Sequence, residues 1–122
     1  MSTNKQQDGD VITWTNNTGS NVVAGGVAII KHMIGVALVD IANGASGAVA
    51  LSGVFSNIPK VTAAVFVVGE KLIWDTSAGK FDDSSATPET GDITGACVAW
   101  VAGTSSDTTC TIKLTPGNAT LT

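Results

Sequence analysis

The sequence has no arginine and no tyrosine, a single histidine, two cysteines and three prolines among its 122 residues. Each shortage removes a class of function. Arginine carries the planar fork that grips phosphate and guanine with paired hydrogen bonds. Its absence, with only six lysines and no basic run, excludes a nucleic-acid partner from the expectations. His32, Cys97 and Cys110 show no metal-ligand spacing, and a zinc site needs about four ligands, so no metal or other cofactor is expected. His32 has no paired nucleophile or motif, and the many serines and threonines never fall into G-x-S-x-G, so the reading is that the chain is not an enzyme. No apolar run reaches the ~18–20 residues that span a bilayer, and residues 1–10 are polar. The expectation is a soluble protein, made in the cytosol, with no membrane partner. The two cysteines could bridge the C-terminal hairpin, but its register is open; cytosolic synthesis favours two reduced, buried thiols.

Charge is scarce too. Charged residues are 13% of the chain against a usual ~25%, while 43% are hydrophobic and the net charge is −4. What remains is β-forming: Val, Ile and Thr runs punctuated by fourteen glycines. The runs are too short for convincing helices and are bounded by turn residues, which predicts an all-β, compact single-domain, β-barrel-like fold with at most one short helix. A chain of this size can bury roughly two thirds of its unfolded surface, enough for a core without metals or disulfides. Three parts are expected: a flexible N-terminal arm, 1–10; a β-domain, 11–115; and a tail, 116–122.

The organising stretch is 33–55, two apolar runs around Asp40, Asn43, Gly44, Ser46 and Gly47, read as a hairpin whose loop is held by local Asp40 and Asn43 hydrogen bonds. Before it come strands at 11–15 and 27–31, separated by the turn-rich 16–21. After it, 56–60 interrupts the sheet, with Pro59 at an edge or corner because it lacks an N–H. Residues 61–68 read either as a strand or as a short helical or irregular turn, the latter preferred. A strand follows at 72–75, then a brief one at Lys80-Phe81 within the polar 76–91 region. The last hairpin runs from 93–101 to 108–114. In its return arm Thr109, Thr111 and Lys113 alternate with Cys110, Ile112 and Leu114, the period of a strand with one wet face. Pro116-Gly117-Asn118 ends the sheet.

The expected core is Ile12, Val36, Leu38, Val49, Leu51, Val54, Ile73, Val98, Ile112 and Leu114. The acidic pair Asp82-Asp83 lacks EF-hand-like spacing and reads as a solvated loop. Trp14, Trp74 and Trp100 could make a carbohydrate platform, but Trp14 and Trp100 lie in apolar strands, where packing in a core or an interface is the better reading.

The ordered set Val23-Ala24-Gly25-Gly26-Val27, Gly35-Val36-Ala37 with Asp40-Ile41-Ala42 and Gly47, Gly53-Val54-Phe55 with Ile58-Pro59-Lys60, Gly69-Glu70-Lys71 with Trp74-Asp75, Gly95-Ala96 and the closing Lys113-Leu114 resembles the phage capsid cement (head decoration) proteins, a small all-β family long catalogued as RecA/RadA-recombinase-like. The resemblance covers roughly residues 11–115; the sequence departs from the pattern in a longer 82–91 loop, in its two cysteines and in lacking an arginine in the last strand. It implies a virion structural protein on the outer surface of a bacteriophage head, assembled as a homotrimer and bridging major capsid protein subunits. A virion-displayed module, such as a head fibre or glycan-binding domain, is the alternative. To this the composition adds one inference: the polar residues Thr3, Asn4, Lys5, Gln6 and Gln7 are the candidate contacts to the capsid or to a neighbouring copy, through an arm that cannot fold on its own.

Overall fold

The computed structural model describes residue 4 and residues 6–122. Among these the chain is all-β, two antiparallel sheets with one 3-10 turn at Pro116–Asn118 as the only helical piece. The first sheet has the order β1 (Val11–Thr15), β4 (Ser46–Ala50), β3 (Met33–Ala37), β2 (Val27–Ile30). The second has the order β5 (Val54–Pro59), β9 (Thr109–Leu114), β8 (Ile93–Ala99), β6 (Lys71–Asp75), β7 (Lys80–Asp82), and β10 (Thr120–Leu121) pairs with the start of β8. The edges of this second sheet meet at one point. Lys60, just beyond β5, makes a single parallel bridge to Phe81 of β7, and Val61 N donates to Phe81 O at 2.9 Å. The sheet therefore curls towards a barrel without closing.

Alternation along β2 and β3 builds two cores. Ile34 and Val36, with Val27 and Ile29, face the second sheet and join Ile58, Phe66, Leu72, Phe81, Ile93 and Ile112 in the main core. Ala28 and Ala37 face the other way, onto Ile41 and Val49, with Ile12, Trp14 and Ile30 at the margin. A strand covered on both faces needs apolar residues at successive positions, which is why Ile34 to Ala37 is buried without interruption. Gly35 allows the close approach of β3 and β4: a Cβ there would collide with Val49 and lie 2.6 Å from Ala50 O. In the main core Trp74 and Phe81 pack edge to face, ring centres 4.9 Å apart, a favoured aromatic geometry.

The strands lie close to their expected positions, with instructive differences. The 33–55 stretch is not one hairpin. Its second run splits at Gly53 (φ 112°), where the chain leaves the first sheet at β4 and enters the second at β5. Residues 56–60 do not interrupt the sheet. β5 runs through them with a bulge between Phe55 and Ile58, where Asn57 adopts φ 57°; Pro59 does sit on an edge strand. Asp40 and Asn43 bond across the fold: Asp40 Oδ1 accepts from Ala24 N (2.8 Å), and Asn43 Oδ1 from Gly19 N (2.9 Å). Residues 61–68 form no helix but an irregular segment with a bridge from Phe66 to Gly103. The chain after Pro116–Asn118 returns to the sheet as β10.

Of the expected core, Val36, Val49, Ile73, Ile112 and Leu114 are buried, whereas Ile12, Leu51 and Val98 are half-buried. Leu38 and Val54 were misplaced, at 45% and 43% exposure. Leu38 lies just past the end of β3, where the chain turns away from the sheet. Val54 pairs with Lys113 and shares that lysine's outward face; its neighbour Phe55 is the residue packed against the main core.

Candidate interaction surface

The residues expected to make contacts beyond the chain are not gathered into a site. Thr3 and Lys5 lie outside the described residues. Asn4, Gln6 and Gln7 are exposed, and Gln7 Nε2 donates to Val11 O at 3.1 Å, tying this segment to the start of β1. His32 sits exposed in the two-residue turn between β2 and β3, beside Lys31 with φ 56°.

The acidic pair organises its own loop. Asp82 Oδ1 accepts from Asp83 N (2.8 Å), and Asp83 Oδ1 accepts from the Ser85 hydroxyl (2.6 Å) and Ser85 N (3.1 Å). The Ser85 hydroxyl bond, more than any other contact, holds Asp83 below the ordinary carboxylate range. Among the described residues no group of three or more His, Cys, Asp or Glu is placed to hold a metal, and no helix is long and apolar enough to cross a membrane. Cys97 and Cys110 are buried and unbonded to one another. Burial pushes the Cys110 thiol up to about 11 and that of Cys97 higher still.

Two features escaped the sequence reading, and they belong together. The first is Lys60, which is fully buried. Its ammonium donates to the backbone carbonyls of Val61 (2.9 Å), Thr62 (3.2 Å), Thr104 (2.8 Å) and Asp107 (3.3 Å), and lies 5.6 Å from the centre of the Phe66 ring. A buried charge must be hydrogen-bonded to be tolerated, and four carbonyl dipoles supply that here. The effect is to clasp the segment after β5 to the loop between β8 and β9.

The second is what those two segments carry. Phe66 and Gly103 exchange both backbone hydrogen bonds (3.2 and 2.9 Å), and the Phe66 ring lies so close over Gly103 that a Cβ there would come within 2.5 Å of ring carbons. With Phe66 turned inward, its neighbours turn outward. Val65, Val67 and Val68 are 58%, 66% and 64% exposed, and beside them Trp100 and Val101 are 50% and 53% exposed. Five large apolar side chains thus make a ridge on a clasped base. Single exposed apolar residues are ordinary, but a contiguous patch of several hundred Å² marks an interaction site in soluble proteins. Trp100 was expected in a core or an interface, and the core is excluded. The outward-inward-outward run Val65, Phe66, Val67 was the available signal; sequence alone does not say which parity faces in.

The family model described as phage cement protein matches residues 6–114. The chain belongs to the phage cement protein family. No curated protein matches it. The match to the cement protein family begins in the polar segment before β1 and ends with β9, so it takes in both sheets, Lys60 and the ridge, and leaves out β10. Cement proteins are structural components of the phage capsid, and the ridge gives this cement protein a surface suited to assembly.

Proposed function

We propose that this cement protein binds the outer surface of the phage head as a homotrimer and bridges neighbouring major capsid protein subunits, stabilising the shell without chemistry. Family membership supports the capsid role, and the observation that carries the reading of an assembling protein is the five-residue apolar ridge on a preformed base. The N-terminal segment supplies a second contact. Ten extended residues reach at most ~33–36 Å, far enough to cross onto a neighbouring subunit. There Thr3, Asn4, Gln6 and Gln7 hydrogen-bond to the capsid or to another copy, with Lys5 adding charge, and the backbone adds to an exposed strand edge. Ordering the segment costs roughly 1–2 kcal/mol per residue, so one arm binds weakly, while three on one trimer raise the effective concentration.

The test mixes the purified protein with undecorated heads and images them, alongside a variant lacking Ser2 to Gly9. Full-length protein is expected to decorate the shell, and the truncated one to fold and bind at least tenfold more weakly. Unchanged affinity would remove the arm from the account; failure of the full-length protein to decorate would remove the cement role. The exposed Trp100 favours a second reading, a glycan platform on the virion. Its indole is flanked by Val101 and by Lys113, whose Nζ lies 5.9 Å from the ring centre. Binding on a glycan array, lost in Trp100→Ala, would establish that reading.

A further inference from the structure

We infer that the ridge is the contact between copies of this chain, with the basic flank of one copy set against the acidic flank of the next. This rests on the reading that the cement protein assembles with itself; the surface and the charge pairing come from the arrangement of the side chains. Backbone hydrogen bonds give the order across the surface. Trp100 N donates to Thr111 O, so β9 with Lys113 lies on one side of Trp100 and Val101. On the other side the Phe66 to Gly103 bridge brings in Val65, Val67 and Val68. Beyond these, Val65 N donates to Asp83 Oδ2 (3.4 Å), Val67 N to Glu70 Oε1 (3.2 Å), and Ser84 N and Oγ to Glu70 Oε2 (both 2.9 Å). The surface therefore reads lysine, tryptophan and valines, then two carboxylates. The bond from Ser84 N to Glu70 and the Ser85 hydroxyl bond to Asp83 lower both acids' pKa values, so this flank is anionic at neutral pH.

A band with opposite charges on its two sides is complementary to itself. When a second copy lies over it with direction reversed or displaced, apolar centre meets apolar centre and Lys113 meets Glu70 and Asp83. Charge matching of this kind directs encounter and fixes register. Size agrees as well. A stable contact buries about 800 Å² per partner with an apolar centre and a polar rim, and the ridge supplies that centre while its flanks supply the rim. The base needs little reordering on association, because Lys60 and the Phe66 to Gly103 contact already hold it. The other exposed apolar group, Val23, Leu38 and Val39, is smaller, and the neighbouring Asp40 carboxylate gives it no opposite flank.

The experiment is sedimentation velocity on the full chain over a range of concentrations and salt. Val67→Asp and Trp100→Asp are compared with Val39→Asp, and folding is checked by circular dichroism melts. Wild type and Val39→Asp are expected to self-associate alike. The two ridge variants should melt normally but associate at least tenfold more weakly. Lys113→Glu should weaken association, and wild-type association should weaken as salt rises. A monomeric wild type, or ridge variants that associate as wild type does, would overturn the inference. Bare phage heads separate the remaining outcomes. Ridge variants that associate normally but no longer decorate heads would place the ridge against the shell and refute this inference while sparing the cement role. A wild type that associates through the ridge yet never decorates heads would refute the cement role and spare the inference.

Discussion

Replacing Lys60 by methionine is the sharpest probe of how this fold is held. The substitution keeps an unbranched apolar stem of similar length and deletes only the ammonium. Four carbonyls then lose their donor. Val61 O retains a bond from Ala64 N (3.1 Å), and Thr104 O retains one from Asp107 N (3.2 Å), so Thr62 O and Asp107 O are the two acceptors that depend most on the lysine. An acceptor left unsatisfied in a dry site costs about 1–3 kcal/mol, which puts the two together at about 2–6 kcal/mol. Relief of the ammonium's desolvation offsets part of this, since a buried charge is itself costly. The net expectation is about 2–5 kcal/mol, a large share of a typical ~5–15 kcal/mol total. Because the acceptors are backbone groups, no single side-chain change removes both partners and cancels the penalty. Urea unfolding followed by tryptophan fluorescence measures the effect. A Lys60→Met protein within about 0.5 kcal/mol of wild type would show that the clasp adds nothing and that water or loop rearrangement satisfies the carbonyls.

Leu114→Ala, at a site 4% exposed in the main core, should cost about 2–5 kcal/mol, whereas Leu38→Ala, at 45% exposure, should stay within about 0.5 kcal/mol; equal thermal shifts would refute the assignment of inner and outer faces. Cys97 and Cys110 should resist a thiol reagent at pH 8 in folded protein and react fully in denaturant, because burial keeps both thiols neutral; rapid labelling of folded protein would contradict the core packing. The same raised thiol values predict a pH effect. They add stability below the ordinary cysteine range, near 8.5, and that stability is lost as pH rises towards the folded value of Cys110, about 11, so melting temperature should fall over that interval and a Cys110→Ser variant should show less of the fall.

The class of the fold and most of its strands were legible in the sequence because they depend on local chemistry. Period-two alternation in 109–114 made one face wet and one dry whatever lay beyond it, and the pattern of exposure follows it residue by residue. Gly and Asn clusters ended strands for reasons of backbone freedom, and Pro59 could sit only where no ladder hydrogen bond was required. Tertiary structure decided the rest. Val54 and Phe55 are equally apolar neighbours, and only the packing of the second sheet against the first selects Phe55 for the core. The split of the 33–55 stretch between two sheets depends on a corner at Gly53 whose partners lie 60 residues away, such as Leu114 N bonding to Gly53 O. Lys60 reads as a surface lysine until the chain brings Thr104 and Asp107 to its ammonium, and the ridge reads as core until Phe66 takes the inward place beside Gly103. Such long-range juxtapositions leave no local mark, because each partner's residue type is compatible with many environments and only the closed fold chooses one.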